Sequence, residues 1–144
     1  KVTMTWNNTF NWKNWDFGFV LRANIGNWMY NNNQAANVSK RANAALPQSN
    51  LMADTFLFET SDITTIMSDY FVQNASFLRC DNITLGYTWQ NLLNNHLRLR
   101  LYGAVQNPFV ITKYKGLDPE VFSGIDNGVY PKPTTFSLGV VASF

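Results

Sequence analysis

The stretch TTFSLGVVASF, residues Thr134–Phe144, decides the fold class, because an apolar side chain occupies nearly every second position. The side chains that share this parity are Phe136, Leu138, Val140, Ala142 and Phe144. Alternation with a period of two is typical of a β-strand with one apolar and one polar face. The sequence also ends on an aromatic residue, whereas the ends of soluble domains are usually poorly ordered. We therefore expect a strand that is ordered up to Phe144.

The same alternation recurs upstream and predicts a chain built from long strands. The approximate strand ranges are 2–12, 15–28, 76–90, 96–107 and 134–144. Strands of soluble sheets average roughly 5–6 residues, whereas a tilted strand that crosses a bilayer needs about 9–11. The lengths therefore predict an all-β fold, an antiparallel transmembrane β-barrel.

Charged residues support this prediction, because in four of the five strands they lie opposite the apolar stripe, as lumen-facing residues of a barrel do. The lumen-facing candidates are Asp16, Arg22, Asn24, Arg98, Arg100, Tyr102 and Gln106. The third strand departs from the rule, because Arg79 and Asp81 share the parity of Ile83. Either a β-bulge between Cys80 and Asn82 restores the phase, or this end of the strand rises above the hydrocarbon.

The connections between the predicted strands alternate in length. The links at 13–14 and 91–95 are short, whereas the loops 31–75 and 108–133 are long. Membrane barrels have short periplasmic turns and longer extracellular loops. Five strands cannot close such a barrel, since an open edge would leave unpaired backbone groups in lipid. We therefore expect residues 1–144 to work together with further strands of a longer chain.

Composition excludes several other functions. The net charge is only +2 and no dense basic run is present, so we expect no nucleic-acid partner. His96 is the only histidine and falls in a predicted turn, without an acid or nucleophile close in sequence. The acidic residues of the loop 108–133 do not match the spacing of a calcium loop. We therefore predict no catalytic residue, no cofactor and no metal, and hence no enzyme.

Three longer motifs carry a resemblance to a known family. They are SDYFVQNASFLRCDNITLGYTW at 68–89, VQNPFVITKYKGLDPEV at 105–121 and GIDNGVYPKPTTFSLGVVASF at 124–144. Together they closely resemble the carboxyl-terminal part of SusC/RagA-like TonB-dependent outer-membrane transporters. GNWMYNNN at 26–33 also looks like this family, and the resemblance covers nearly all of 6–144.

This resemblance implies the architecture and the partners of the whole protein. It implies a 22-stranded barrel with an amino-terminal plug, to which residues 1–144 contribute about the last five strands. Such a transporter imports glycan oligosaccharides or peptides across the outer membrane of a Gram-negative, Bacteroidota-type bacterium. The implied partners are the plug and earlier strands, outer-membrane lipid, a SusD-like surface lipoprotein that acts as a lid, and the TonB complex, which acts through an amino-terminal region absent from this chain.

Aromatic and amide side chains near the second long strand are candidates for binding substrate or the lid, because rings stack on sugars and amides pair with hydroxyls. They are Trp28, Tyr30, Asn31, Asn32 and Asn33, with lumen parity for the two aromatic residues. An aromatic girdle displaced by a bulge is the competing interpretation. The likeness to outer-membrane barrels also implies that the alternating apolar residues that end at Phe144 form the signal read by the barrel-assembly machinery.

Two other functions remain open at this point. A soluble carbohydrate-binding β-sandwich would share the 15% aromatic content, although its strands would be shorter. A passive outer-membrane porin would share the barrel, although not the long loops that contact a lid. Heat-modifiable migration on a gel separates the barrel from the sandwich, and a co-purifying lipoprotein separates the transporter from the porin.

Overall fold

The computed structural model describes residues 1–38, 53, 68–92 and 97–143, and its chain forms two compact units. The large unit comprises Lys1–Ile25, Phe77–Ile111 and Lys132–Phe144. The small unit comprises Gly26–Ser76 and Thr112–Pro131. His96 and Phe144 lie outside the described residues. The described elements, in chain order, are β1 Val2–Trp12, β2 Trp15–Ile25, β3 Trp28–Asn31, α1 Asn32–Val38, a 3-10 turn Asp69–Phe71, β4 Val72–Asn74, β5 Phe77–Leu92, β6 Leu97–Thr112, β7 Ile125–Asp126 and β8 Thr135–Ser143.

The large unit is one five-stranded sheet with the order β1-β2-β5-β6-β8. The hairpin between β1 and β2 aligns Trp12 with Trp15, and its turn places Lys13 at a φ of 54°. Because facing residues lie on the same side of a sheet, the apolar positions of the two strands form one stripe. Within it the rings of Trp6 and Phe19 pack edge to face, with centroids 5.4 Å apart.

The last strand continues this apolar stripe at the other side of the sheet. In the register of β8 with β6, the apolar positions pair as Phe136 with Val105, Leu138 with Gly103, Val140 with Leu101 and Ala142 with Leu99. Leu138 is 88% exposed. A β-sandwich buries its apolar face against a second sheet, so this exposure argues against the sandwich.

The predicted β-bulge is confirmed. The register between β2 and β5 shifts at Val20 and Leu21, which pair with Asn82 and Cys80 and leave Asp81 as the extra residue. The extra residue returns Cys80 to the apolar side of the sheet. It also brings the neighbouring Arg79 opposite Arg22, on the polar side.

Two predicted strand boundaries were wrong. The strand expected over 15–28 ends at Ile25, because the chain turns at Gly26, whose φ is 76°, a conformation that glycine adopts readily. The strand expected over 96–107 continues to Thr112. Pro108 does not interrupt it, because the pairing with β8 ends at Gln106 and Pro108 need not donate a hydrogen bond to that strand.

The small unit contains the described part of the predicted loop 31–75 and residues 112–131 of the predicted loop 108–133, and both segments contain short strands. β3 is its central strand, antiparallel to β4 and parallel to β7. One buried cluster contains Met29, Ala75 and Tyr114, and another contains Ala35, Val38 and Phe71. None of the helical segments in the described part of the chain is long and apolar enough to cross a bilayer.

A charge on the apolar stripe tests the assignment of the two faces. Leu101→Arg should reduce the amount of folded protein in the outer membrane, since arginine on a lipid face costs roughly 2–4 kcal/mol near the bilayer centre. The matched control is Gln106→Arg, at an exposed polar-face position of the same strand. The measurement is heat-modifiable protein in outer-membrane fractions. Equal losses in the two variants would contradict the assignment.

Candidate functional site

The polar face of the large sheet carries an ion pair that spans three strands. The Arg100 guanidinium on β6 donates from Nε to Asp16 Oδ1 at 3.0 Å and from Nη2 to Oδ2 at 2.5 Å. β5 runs between these strands, and its residue opposite Asp16 is Gly86. A Cβ on Gly86 would lie 2.5 Å from Asp16 Oδ1 and 2.8 Å from Arg100 Nη2. The missing side chain therefore leaves the space in which this bidentate pair forms.

The β-bulge creates a second ion pair. Arg22 donates from Nε to Asp81 Oδ2 at 2.9 Å and from Nη2 to Oδ1 at 3.0 Å. The guanidinium carbons of Arg22 and Arg79 lie 5.8 and 5.7 Å from the centroid of the Phe77 ring, within the range of cation–π attraction. Bidentate pairs restrict geometry as well as adding energy, so the bulge fixes the direction of these side chains.

The other predicted lumen-facing residues share the same polar face. The Tyr102 ring lies 4.9 Å from the Arg100 guanidinium and packs against Gly139. Asn24 Oδ1 is buried and has no hydrogen-bond partner among the described residues. Arg98 and Gln106 are exposed. The predicted residues thus share one face, as their parity in the sequence indicates. The sequence did not reveal that Gly86 leaves the space in which Asp16 and Arg100 meet.

The five residues predicted to bind substrate or the lid lie in the small unit, not in a continuation of β2, because β2 ends at Ile25 and the chain turns at Gly26. Trp28 is 61% exposed, whereas the Tyr30 ring is partly buried against Phe71, 6.2 Å between centroids. Burial raises the pKa of Tyr30. Asn31 is only 3% exposed, and its Oδ1 accepts a hydrogen bond from the Gln34 backbone N–H at 2.9 Å. Asn31 therefore caps the amino end of α1.

The two asparagines that follow are also engaged within the small unit. Asn32 Nδ2 donates to Asn127 Oδ1 at 2.7 Å, and the Asn33 carbonyl accepts from Asn37 Nδ2 at 2.7 Å. Of the five residues predicted to bind substrate or the lid, Trp28 and Asn33 are exposed. The spacing of Asn31 and Gln34 resembles a capping box, a signal that could have assigned this asparagine to the helix.

Buried carboxylates organise the loop before β8. Asp126 is 1% exposed and accepts hydrogen bonds from Tyr114 Oη at 2.7 Å and from the backbone N–H of Gly128 at 2.9 Å. Burial and this hydrogen bond raise the pKa of Tyr114. Asp118 is buried and accepts from the Glu120 N–H. Within the described ranges, no three histidine, cysteine or acidic side chains converge to hold a metal.

A cleft of about 250 Å³, lined by residues with polar or charged groups, also lies in the small unit. We call it the basic cleft; its lining residues are Gln34, Tyr70, Gln73, Asn74, Lys113 and Lys115. Gln73 Nε2 donates to Gln34 Oε1 at 2.5 Å, and Gln73 Oε1 accepts from the Lys115 backbone N–H at 3.3 Å. Sequence reasoning missed this cleft because its residues come from three distant segments.

The exposed apolar face and the ion-paired polar face define the sheet as part of the wall of a transmembrane β-barrel. Comparisons with known proteins identify which kind. The chain is 47% identical over 152 residues to the TonB-dependent receptor SusC of Bacteroides thetaiotaomicron, an alignment that covers 99% of this chain and 15% of that protein. It is 27% identical over 164 residues to the TonB-dependent receptor P3 of Formosa agariphila, with coverage of 99% and 16%. Over nearly its whole length the chain is therefore similar to SusC/RagA-like TonB-dependent receptors, the family that its motifs resemble.

Solved structures agree with this assignment. The RagAB peptide transporter matches with a TM-score of 0.70 and 27% identity, over 92% of this chain and 16% of that one. The RagAB peptide importer in its open-open state matches in fold, with a TM-score of 0.76 and 22% identity, over 99% and 17% of the two chains. No protein-family model matches the chain. The chain spans about 15% of the length of the SusC relative.

Gly86→Ala tests the three-strand ion pair. The added methyl group should displace the Asp16 and Arg100 side chains and destabilise the folded protein by about 1–2 kcal/mol, the scale of lost charge-assisted hydrogen bonds at a partly exposed site. Gly103→Ala is the matched control, because its Cβ would lie 3.5 Å from Leu138 Cδ2, an ordinary contact. Urea unfolding of the full-length protein in lipid vesicles measures both. Equal stability of the two variants would contradict the assigned role of Gly86.

Proposed function

We propose that the protein containing this chain is a TonB-dependent outer-membrane transporter that imports glycan oligosaccharides or peptides. The observation that carries the proposal is the 47% identity to SusC across 99% of the chain. The likeness to the RagAB peptide transporter supports peptides as one of the two substrate classes. The relatives are receptors and transporters, so the chain acts in transport rather than in catalysis.

The proposal includes the partners and the location that the family likeness suggests. The sheet pairs with the remaining strands of a barrel in the outer membrane of a Bacteroidota-type bacterium, and its apolar stripe contacts lipid. A SusD-like lipoprotein caps the extracellular mouth, a plug fills the lumen, and the TonB complex supplies energy through the amino-terminal region.

The polar face has a defined task in this proposal. It lines the lumen, where the bidentate pairs of Arg100 with Asp16 and of Arg22 with Asp81 hold charged side chains against the wall. These ion pairs keep the wall polar where it faces the plug and the substrate. They also hold the arginine side chains against the wall, so that the arginines do not extend into the transport pathway. In the small unit, the exposed indole of Trp28 is the side chain best placed to stack on a sugar or to contact the lid.

Growth and uptake experiments test the function. Cells that lack the gene should lose uptake of a labelled oligosaccharide or peptide that the parent strain imports, and cells that lack TonB should lose it too. A porin conducts passively, so uptake that persists without TonB and depends on this gene would contradict the proposal. Co-purification of a surface lipoprotein with the affinity-tagged transporter provides the independent check on the lid.

The terminal strand generates a separate prediction. We infer that Phe144, together with the apolar positions Phe136, Leu138, Val140 and Ala142, acts as the assembly signal. Phe144→Asp in the full-length protein should lower its outer-membrane level well before it lowers uptake per inserted molecule. Ser143→Thr, on the polar parity of the same strand, is the control. Normal surface abundance of Phe144→Asp would refute the assembly-signal role.

A further inference from the structure

We propose that the basic cleft binds a carboxylate of a transported molecule, carried either by the carboxyl terminus of a peptide or by an acidic sugar. The inference rests on the proposed import function and narrows its substrate class. All the described lining residues of the cleft lie in the small unit.

Hydrogen-bonded side-chain amides form the floor of the cleft. Gln34 is 6% exposed, and its Oε1 accepts a hydrogen bond from Gln73 Nε2 at 2.5 Å. The side-chain oxygen of Gln73, Oε1, accepts a hydrogen bond from the Lys115 backbone N–H. Thr112 Oγ1 donates to the Ser76 carbonyl at 2.9 Å and accepts from the Tyr114 N–H at 3.1 Å. These bonds join the segment that carries both lysines to the segment around β4, so the cleft has a fixed wall on each side.

The rim is positively charged. Lys113 and Lys115 are both exposed, and neither ammonium group forms an ion pair with a residue that the structure describes. The cleft lining includes no carboxylate among these residues. Asp69, beside Tyr70, is an exposed residue that contacts the Ser68 hydroxyl at 3.5 Å. Two cations that have no carboxylate partner among the described residues, in a cleft that also contains amide and phenol groups, favour an anion that accepts hydrogen bonds, and a carboxylate is such an anion.

The size of the cleft limits how much of a ligand it can hold. About 250 Å³ is below the roughly 300–1,000 Å³ of pockets that enclose a drug-sized molecule. The cleft therefore accommodates one terminal group, such as a single amino acid residue or one sugar ring, while the rest of the ligand remains outside. This suits recognition of a common end group in molecules of varied length.

The test compares ligands whose carboxylates are either free or neutralised, using the purified full-length transporter with its lipoprotein partner. The probes are a tryptic digest of casein before and after carboxyl amidation, and oligogalacturonate before and after methyl esterification. In at least one pair the carboxylate form should bind roughly three- to tenfold more tightly, as expected for two lysine contacts at a solvated site. The pair that shows the preference identifies the source of the carboxylate.

Variants assign the preference to the cleft. Lys113→Gln with Lys115→Gln should reduce it towards one, whereas Lys113→Arg with Lys115→Arg should retain it. Lys1→Gln with Lys13→Gln, both in the large unit, removes the same two charges outside the cleft and is the charge-matched control. The preference should also shrink at about 1 M salt, where charges are screened within roughly 3 Å.

Three results would each overturn the proposal. They are equal binding of the charged and neutral forms by the unaltered protein, no measurable binding of any probe, and a preference that survives the double glutamine variant. A gene-dependent, TonB-dependent uptake without any carboxylate preference would reject the cleft assignment and leave the import function intact. If the gene-dependent, TonB-dependent uptake and the carboxylate preference were both absent, the import function would be rejected as well.

Discussion

Strand register is the constraint on which the rest of the large sheet depends. With a period of two, a slip of one residue moves every apolar side chain to the opposite face. The described pairs keep Phe10 beside Phe17 and Leu101 beside Val140, so one face remains apolar across the sheet. The one described register shift within the large sheet, at Asp81, corrects the phase of β5 rather than disturbing it. It also delivers the carboxylate that pairs with Arg22.

The two faces are stabilised by different physics. The apolar stripe gains its stabilisation from contact with hydrocarbon, and its rings are paired across strands. The polar face depends on short side chains at selected positions: Gly86 makes room for the pair of Asp16 and Arg100, and Gly139 makes room for the Tyr102 ring. Glycine in a strand usually weakens it. Here it provides the space for a neighbouring side chain to reach across.

The large sheet could be predicted from the sequence because its determinants are local. Alternation, strand length and the charges at Arg98 and Arg100 are all visible within one strand, and the phase break near Cys80 indicated the bulge. The small unit could not be predicted in this way. β2 ends before Gly26 because of a backbone conformation, and the alternation of apolar residues carries no information about it. Asn31 caps α1, but from the sequence alone it could equally be an exposed side chain that binds a ligand. The basic cleft joins residues about 40 and 80 positions apart, which no local pattern could bring together.

The central claim is that alternate residues of β8 face lipid and water in the assembled β-barrel. The most direct measurement is the accessibility of nitroxide spin labels placed singly at positions 135–142 of the full-length protein in lipid vesicles, with Cys80 replaced by serine. The account predicts that labels at 136, 138, 140 and 142 are relaxed mainly by oxygen dissolved in the lipid. Labels at 135, 137 and 141 should be relaxed mainly by a water-soluble nickel chelate. Uniform accessibility along the strand, or the opposite parity, would contradict the account.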